Sequence, residues 1–310
     1  MKRKRLLALA GLGLILSTFL LDWTVGTLAS PLSLRPQADA RRMRASMQEF
    51  GRATGLAHAP DLVLGLQGFQ LRTGALGQRV GDEAGKAPDD ALRILVLGDG
   101  ATLGIGVADA LTFAQRLGRE RAADLRPVVV ANGAHAFAEA PEPSALRAHW
   151  LPGFAPDVVL FCGPTVEGAP GELLRSIGAA GVEQPGFMRR VWPWLWELDR
   201  VVGGEQHADV ASAPPPLAAE SARARFEEAV AACREQGARP VLVDLGGAPS
   251  RRAWAEAAGV PWIDATPATE PGVPVLADRR IGLLTRLGHD RVLQRLVAGL
   301  VDAGVLAAPR

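Results

Sequence analysis

The chain has 310 residues, of which 48% are hydrophobic and 22% are charged, and its formal net charge is +1. This composition excludes a disordered protein, and the length suits one large α/β domain or two small ones. Four of the 34 basic residues and one of the 33 acidic residues lie within residues 1–22, so the remainder is close to neutral. A body without excess positive charge predicts no nucleic acid partner. Two cysteines exclude a disulfide framework.

The first segment is typical of a membrane-targeting signal. Lys2–Arg5 is a run of four basic residues, and Leu6–Leu21 is an uncharged run of 16 residues. This run is short for a spanning helix and long for a cleaved signal, and residues 29–31 form a poor cleavage site. These features favour a membrane anchor over residues 1–28, with a cleaved signal as the alternative. In both cases the basic flank predicts an extracytoplasmic body, on the periplasmic or cell-surface side.

The rest of the chain alternates strand and helix patterns. Short apolar runs closed by Gly or Pro predict strands at Arg93–Leu97, Pro127–Ala131, Asp157–Cys162, Pro240–Leu245 and Pro261–Asp264. Helical patterns lie between these runs, at about Ala108–Leu125, Ser144–Leu151, Ala218–Gln236, Arg251–Ala258 and Thr285–Ala303. The alternation predicts a three-layer α/β/α fold with a mostly parallel sheet of about five strands.

Three regions follow from these patterns. Residues 29–91 form a connecting region, in which Pro36–Phe50 is predicted to be a polar helix and residues 81–91 a charged loop. The α/β domain is predicted to span residues 92–305. Within it, residues 167–216 break the alternation, and we expect an insertion there over one end of the sheet.

Catalytic or ligand-binding residues are expected in the segments that follow the strands, because ligands of parallel sheets bind beyond the carboxyl ends of the strands. The first of these segments, Gly98–Gly106, is rich in glycine. It lacks the dinucleotide pattern G-x-G-x-x-G directly after the strand, and it lacks the Gly-Lys-Ser/Thr of a phosphate loop. The histidines show no metal-ligand spacing. We therefore predict no cofactor and no metal.

Several motifs resemble one enzyme family. Arg93–Leu117 (RILVLGDGATLGIGVADALTFAQRL) resembles the first block of the SGNH/GDSL hydrolases, in which a strand is followed by Gly-Asp-Ser and a helix. Val128–Phe137 resembles the second block, where a strand ends in Asn and in a Gly whose amide faces the site. Pro156–Leu160 resembles the strand before the third block, and Gly288–Val292 the start of the last helix. The resemblance covers about Gly68–Leu300 and implies an SGNH-hydrolase-like domain of flavodoxin-like topology.

Four side chains that this resemblance requires for ester hydrolysis are absent. Gly100 holds the position of the nucleophile and has no oxygen with which to attack an acyl carbon. Val166 holds the position of the Asn that donates to the oxyanion, and Arg280 and Leu283 hold the positions of the acid and the base. The resemblance leaves two backbone oxyanion donors, from Gly100 and from a residue near 133–134. We therefore predict no catalytic residue.

The former substrate side of the domain still offers candidates for contact with a ligand: Asp99, Gly100, Asn132, Gly133 and His135. We expect the Asp99 carboxylate to accept backbone hydrogen bonds within the turn rather than to act in acid–base chemistry. The pair His289 and Asp290 is an alternative, displaced base, although a role at the start of the last helix is favoured for His289.

Three functions remain open on the sequence. The first is an envelope-anchored, non-catalytic SGNH/GDSL hydrolase-like protein that binds an acylated saccharide or an envelope protein at the former ester-hydrolase site. The second is an active ester hydrolase or acyl-transfer enzyme that uses displaced residues. The third is a structural scaffold. Loss of the nucleophile, base and Asn favours the first or third, and an open rather than a filled space at Gly100 favours the first over the third.

Overall fold

The computed structural model describes residues 58, 60–66, 69–80, 88–135, 142–163, 219–246, 248–268, 275–278 and 282–308, and residues 13, 16 and 17 of the N-terminal segment. Most of the predicted anchor (residues 1–28), the predicted Pro36–Phe50 helix and the predicted insertion (167–216) lie outside the described residues, as do Val166 and Arg280. Among the described residues, no helix is both long enough and apolar enough to cross a bilayer.

A parallel five-stranded sheet forms the centre of the domain. An antiparallel pair, β1 (Val63–Leu66) and β2 (Phe69–Arg72), precedes it in the chain. The strands of the sheet are β3 (Leu92–Leu97), β4 (Val128–Asn132), β5 (Val158–Cys162), β6 (Arg239–Asp244) and β7 (Trp262–Asp264). Their order is β4-β3-β5-β6-β7, and every neighbouring pair is parallel. All five predicted strands are therefore confirmed, in the flavodoxin-like order with its switch point between β3 and β5.

Helices connect the strands. They are α1 (Gly100–Leu103), α2 (Phe113–Leu117), α3 (Pro143–Ala145), α4 (Leu151–Phe154), α5 (Ala219–Glu235), α6 (Pro249–Ala258) and α7 (Arg286–Asp302). A 3-10 turn, Asp109–Leu111, precedes α2, and a π-helical turn, Leu146–Trp150, joins α3 to α4. Pro152 explains the π-helical turn, because it has no N–H for the bond that an α-helix would make there. A second antiparallel pair, β8 (Leu276–Asp278) and β9 (Leu283–Leu284), precedes α7.

Two apolar cores cover the two faces of the sheet. Because successive side chains of a strand point to opposite faces, Ile94 and Val96 of β3 belong to one core, and Leu95 and Leu97 belong to the other. The first core contains buried residues of α2 and α7, such as Phe113, Leu117, Val292, Leu296 and Leu300. The second contains residues of the α3–α4 segment, α5 and α6, such as Leu146, Trp150, Phe226, Val230 and Ala255. This arrangement confirms the predicted three-layer α/β/α fold class.

The predicted helix over Ala108–Leu125 is wrong at both ends. Only Phe113–Leu117 is α-helical, and the Thr112 hydroxyl accepts a hydrogen bond from the Gln115 amide at its start. After the helix, the amide of Ala123 donates to Val305 O, and the amide of Ala307 donates to Arg121 O. The backbone of residues 121–123 therefore pairs with residues 305–307 and is not available for the helical hydrogen bonds that the apolar pattern predicted.

The segment before the sheet is attached to strand β4. Arg79 forms an antiparallel bridge with Asn132, in which the Arg79 amide donates to the Asn132 carbonyl at 2.8 Å. The side-chain amide of Gln115 donates to Arg79 O at 3.2 Å. We call residues 58–80 the lead-in segment; through Arg79 they extend the sheet at the β4 edge, next to the carboxyl ends of the strands.

Candidate functional site

The predicted ligand residues meet where the strands end. In the sheet register, Val96 of β3 lies beside Asn132 of β4, and Leu97 lies beside Phe161 of β5. The residues that follow, Gly98, Asp99 and Gly100, are therefore flanked by the ends of β4 and β5. We call this group of strand ends the carboxyl edge. Gly98 has no room for a side chain, because a Cβ there would lie 2.9 Å from Cys162 O and would overlap the Thr102 hydroxyl.

Asp99 is the N-cap of α1, and its carboxylate accepts backbone hydrogen bonds within the turn, as predicted. Its Oδ1 accepts hydrogen bonds from the amides of Ala101 at 3.1 Å and Thr102 at 3.2 Å. Burial raises the pKa of Asp99 to about 6, and the hydrogen bonds from the Thr102 and Ala101 amides and the charge of Arg251 oppose this rise. The buried carboxylate therefore stabilises the turn that Gly100 occupies.

Gly100 is the buried first residue of α1, at the position of the nucleophile in the family pattern. Two side chains of the carboxyl edge that carry a hydroxyl or a thiol, Thr102 and Cys162, are both buried. The Thr102 hydroxyl is buried and lies 3.5 Å from Asp99 Oδ1. The Cys162 thiol is buried, and burial together with the Asp99 charge raises its pKa well above the usual range, which disfavours the reactive thiolate.

Asn132 is fully buried, and its side-chain amide serves the fold. Its Nδ2 donates to Thr102 O at 3.1 Å, which ties the end of β4 to α1. Its Oδ1 accepts a hydrogen bond from the Ala134 amide at 3.1 Å, which fixes the loop after β4. The Asn132 side chain thus joins two elements, and its predicted contact with a ligand stays a prediction.

The backbone donors predicted near residues 133–134 are used inside the protein. The Gly133 amide donates to Val96 O at 2.9 Å, and the His135 amide donates to Gly98 O at 2.7 Å. The Ala134 amide donates to Asn132. These amides are therefore engaged with the protein in this structure, and an oxyanion donor at residues 133–134 stays a prediction. Gly133 itself is packed under Trp150, since a Cβ at this position would lie 3.0 Å from the Trp150 ring.

His289 and Asp290 do not form the hydrogen-bonded histidine–carboxylate pair of a catalytic base. Nδ1 of the buried His289 accepts a hydrogen bond from the Phe113 amide at 3.3 Å, and the two rings are 5.5 Å apart. Burial, assisted by the charges of Arg79 and Arg116, lowers the pKa of His289 to about 3. Asp290 instead pairs with Arg116. The favoured role of His289 at the start of α7 therefore agrees with its packing.

Leu283 lies in β9, where it is buried and pairs with Asp278. An aliphatic side chain accepts no proton, so the position predicted for the base carries none. Among the residues that the structure describes, no group of three or more His, Cys, Asp or Glu side chains is arranged to hold a metal ion.

Arg251 occupies the β5 half of the carboxyl edge, which the sequence did not single out. It lies in the first turn of α6, and its guanidinium packs against Gly163, the residue after β5. A Cβ at Gly163 would overlap that guanidinium. The charge of Arg251 also acts on Asp99 and Cys162. The sequence feature that this packing uses is Gly163, the glycine directly after the predicted strand Asp157–Cys162.

Arg79 is the other residue that sequence reasoning missed. Its side chain is fully buried, and its guanidinium donates to Asp109, to Gly104 O at 2.8 Å and to Val107 O at 2.6 Å, as well as to Leu103 O. These contacts hold the loop that follows α1. One arginine in an arginine-rich chain gave no sequence signal for such a role.

Comparison with known proteins gives matches of fold only. No family model matches the chain, and no curated protein matches it. Solved structures do match. A psychrotrophic esterase from Pseudoalteromonas sp. is 11% identical, with 68% of this chain and 98% of that chain covered and a TM-score of 0.40.

Two further matches are of the same kind. A catalytic mutant of an acetylxylan esterase from Geobacillus stearothermophilus is 11% identical, with coverage of 70% and 97% and a TM-score of 0.40. A GDSL-like lipase from Bacteroides thetaiotaomicron is 10% identical, with coverage of 71% and 92% and a TM-score of 0.39. The likeness to these structures is one of fold. It transfers no activity and no ligand, so the function is argued from this chain's own residues.

Proposed function

We propose that this chain is a non-catalytic envelope protein with an SGNH hydrolase-like fold, which binds a ligand or protein partner at the former ester-hydrolase site. The observation that carries the proposal is Gly100. This residue stands at the start of α1, beyond the first strand of the sheet, where a hydrolase of this type needs a side-chain oxygen.

The surrounding groups support loss of catalysis. A general base works best when its pKa is near the working pH, whereas burial lowers the pKa of His135 to about 4 and that of His289 to about 3. Asp99 caps α1, and Asn132 joins α1 to the loop after β4. An enzyme with displaced residues would need a nucleophile and a base in reach of each other, and these groups are committed elsewhere.

The envelope location rests on the N-terminal sequence. The basic run Lys2–Arg5 followed by the apolar run Leu6–Leu21 favours an anchored chain whose body lies outside the cytoplasm. N-terminal sequencing of protein extracted from membranes tests this: an intact N-terminus supports an anchor, and a mature terminus near Ser30 shows a cleaved signal.

A scaffold is the second candidate, and one observation favours it. The amides of residues 133–135 and the side chain of Asn132 bond to the protein itself, so the β4 half of the carboxyl edge offers few polar groups to a ligand. A binding protein would then contact its ligand at the β5 half, near Gly163 and Arg251.

Activity assays separate these functions from an ester hydrolase. We expect the purified chain to hydrolyse neither p-nitrophenyl acetate nor acetylated xylo-oligosaccharides faster than buffer. Gly100→Ser should remain inactive as well, because the new hydroxyl would have no base. Turnover by the wild type that His289→Ala or His135→Ala abolishes would contradict the proposal and reveal a displaced base.

A binding screen then separates a ligand-binding protein from a scaffold. Thermal unfolding would be followed with acetylated saccharides and their deacetylated forms, each in excess. A ligand that binds the folded state raises the midpoint with its concentration. A shift that Arg251→Gln removes would support binding at the β5 half, and no shift with any of these compounds would favour the scaffold.

A further inference from the structure

His58 is a buried histidine whose ring has no polar partner. Its side chain is fully buried in the lead-in segment. Neither Nδ1 nor Nε2 forms a hydrogen bond with any residue that the structure describes. A neutral imidazole always carries one N–H, and burial of this donor without an acceptor is unfavourable. The ring is therefore tolerated only while it stays neutral.

The titratable groups around His58 disfavour its protonation. The groups that act on it electrostatically are His135, which follows β4, and Arg79 of the lead-in segment itself. Arg79 is a buried cation, and its acidic partner Asp109 is already engaged by its guanidinium. A protonated His58 would add a positive charge beside Arg79 and a second N–H without an acceptor.

Arg79 attaches the lead-in segment to the domain through polar contacts of its backbone and its side chain. Its backbone bonds to Asn132 and to the Gln115 side chain, and its guanidinium bonds to the loop after α1. Within the segment, Gly77 lies directly against the His58 carbonyl, since a Cβ at Gly77 would overlap that oxygen. Movement of His58 towards water therefore disturbs the turn that precedes Arg79.

We propose that His58 makes the docking of the lead-in segment sensitive to acid, so that its protonation releases residues 58–80 while the five-stranded sheet stays folded. The sheet can persist because its two apolar cores are built from β3–β7 and the helices. This inference does not depend on the proposed function, since it concerns an attachment and not a ligand.

The direction and size of the pH effect on docking follow from the difference in the pKa of His58 between the docked and the released segment. Burial, then His135 and Arg79, lowers the pKa of His58 from 6.5 to about 3. A lowered pKa means that the released segment binds more protons than the docked one. The docked state therefore has its full stability above pH 6.5 and becomes less stable as the pH falls towards 3. Between pH 7.5 and 4.5 the ratio of released to docked segment rises on the order of one hundredfold.

Amide hydrogen exchange of the full-length chain in detergent tests the proposal, with each rate divided by its intrinsic rate at that pH. The lead-in amides are those of Arg79 and Gly74, and the sheet amides are those of Val96 and Leu160. We expect the lead-in amides to approach unprotected exchange at a pH where the sheet amides remain at least one hundredfold protected. Loss of protection in both groups together at every pH would overturn the proposal.

Three variants assign the effect. His58→Leu has similar volume and does not titrate, so the fall in lead-in protection should shrink from about one hundredfold to less than tenfold. His149→Leu, at a half-buried histidine of the π-helical turn, is the matched control and should behave as the wild type. An unchanged fall in His58→Leu, or abolition by His135→Leu instead, would contradict the proposal. If His58→Leu does not fold, the comparison of the two amide groups in the wild type decides.

Discussion

The two halves of the carboxyl edge are held together in different ways. At the β4 half, buried polar groups bond to one another: Asn132 links α1 to the following loop, and Arg79 attaches the lead-in segment. At the β5 half, the guanidinium at the end of the long Arg251 side chain packs against Gly163. The comparison shows that strand ends of one parallel sheet can be kept in place in two ways, by buried hydrogen bonds that face inward or by packing of a charged side chain against a glycine.

The largest expected effect is at the β4 half, on Arg79. Arg79→Met removes the buried guanidinium that donates to Asp109 and to three buried carbonyls, so we expect the free energy of unfolding to fall by about 3–5 kcal/mol. Urea titration followed by circular dichroism measures the change. Arg252→Met, which removes an exposed pair with Glu256, is the matched control and should change stability little. Equal effects of the two variants would contradict the difference between buried and exposed arginines.

Asn132→Leu is the second test of the hydrogen-bonded half. It removes the partners of Thr102 O and of the Ala134 amide while keeping a similar volume, so we expect a loss of about 2–3 kcal/mol. The same titration measures it. Unchanged stability would mean that water satisfies both groups and that Asn132 is available for a ligand after all.

Acid should weaken the domain through its buried histidines. The pKa of His289 is lowered to about 3 from 6.5. The contribution of neutral His289 to the free energy of unfolding is therefore complete above pH 6.5 and is lost as the pH falls. At pH 5 the free energy of unfolding should be lower by about 2 kcal/mol. Asp99 acts in the opposite sense, because its pKa is raised to about 6 from 3.8 and its contribution is lost as the pH rises through 6.

His289→Asn isolates the histidine term. The Asn carbonyl can accept the hydrogen bond of the Phe113 amide without titrating, although ring packing against Phe113 is lost. Urea midpoints at pH 7.5, 6 and 5 should therefore fall less steeply for the variant than for the wild type. Parallel curves would show that His289 is protonated without cost.

The smallest expected effects on stability come from substitution of one glycine in each half of the carboxyl edge. In Gly98→Ala the new methyl meets the rigid Cys162 carbonyl and the buried Thr102 hydroxyl, so we expect a loss of about 1–2 kcal/mol. In Gly163→Ala the methyl meets only the end of the Arg251 side chain, which can swing towards water, so the loss should be smaller. Thermal unfolding of the pair measures the difference. A larger loss in Gly163→Ala would show that the Arg251 guanidinium is fixed.

The sequence predicted the frame of the molecule better than its contacts. Apolar runs closed by Gly or Pro located all five strands of the sheet, because strands buried on both faces need continuous apolar residues. The long amphipathic helices α5 and α7 were also located to within one residue at each end. Helix α2 was predicted too long, since the pairing of residues 121–123 with residues 305–307 joins distant parts of the chain and leaves no local pattern.

The candidate site was predicted in position but not in detail. Motif order placed Asp99, Gly100 and Asn132 at one edge, and the prediction that Asp99 accepts backbone hydrogen bonds within the turn is confirmed. The partners of Asn132 and of the amides after it depend on how two loops meet, which no single stretch of sequence reveals. The same holds for Arg79 and Arg251, whose roles arise from contacts with residues far along the chain.

The pairing between residues 121–123 and 305–307 also bears on how the protein folds. It joins strands of backbone that are about 180 residues apart, and Leu306 is buried in the same core as Phe113. Contacts so distant in sequence form slowly, because a long loop must close before they contribute. The core around β3 and β4 is therefore incomplete until residues 305–307 have paired with residues 121–123, which makes this pairing a late step in the folding of the domain.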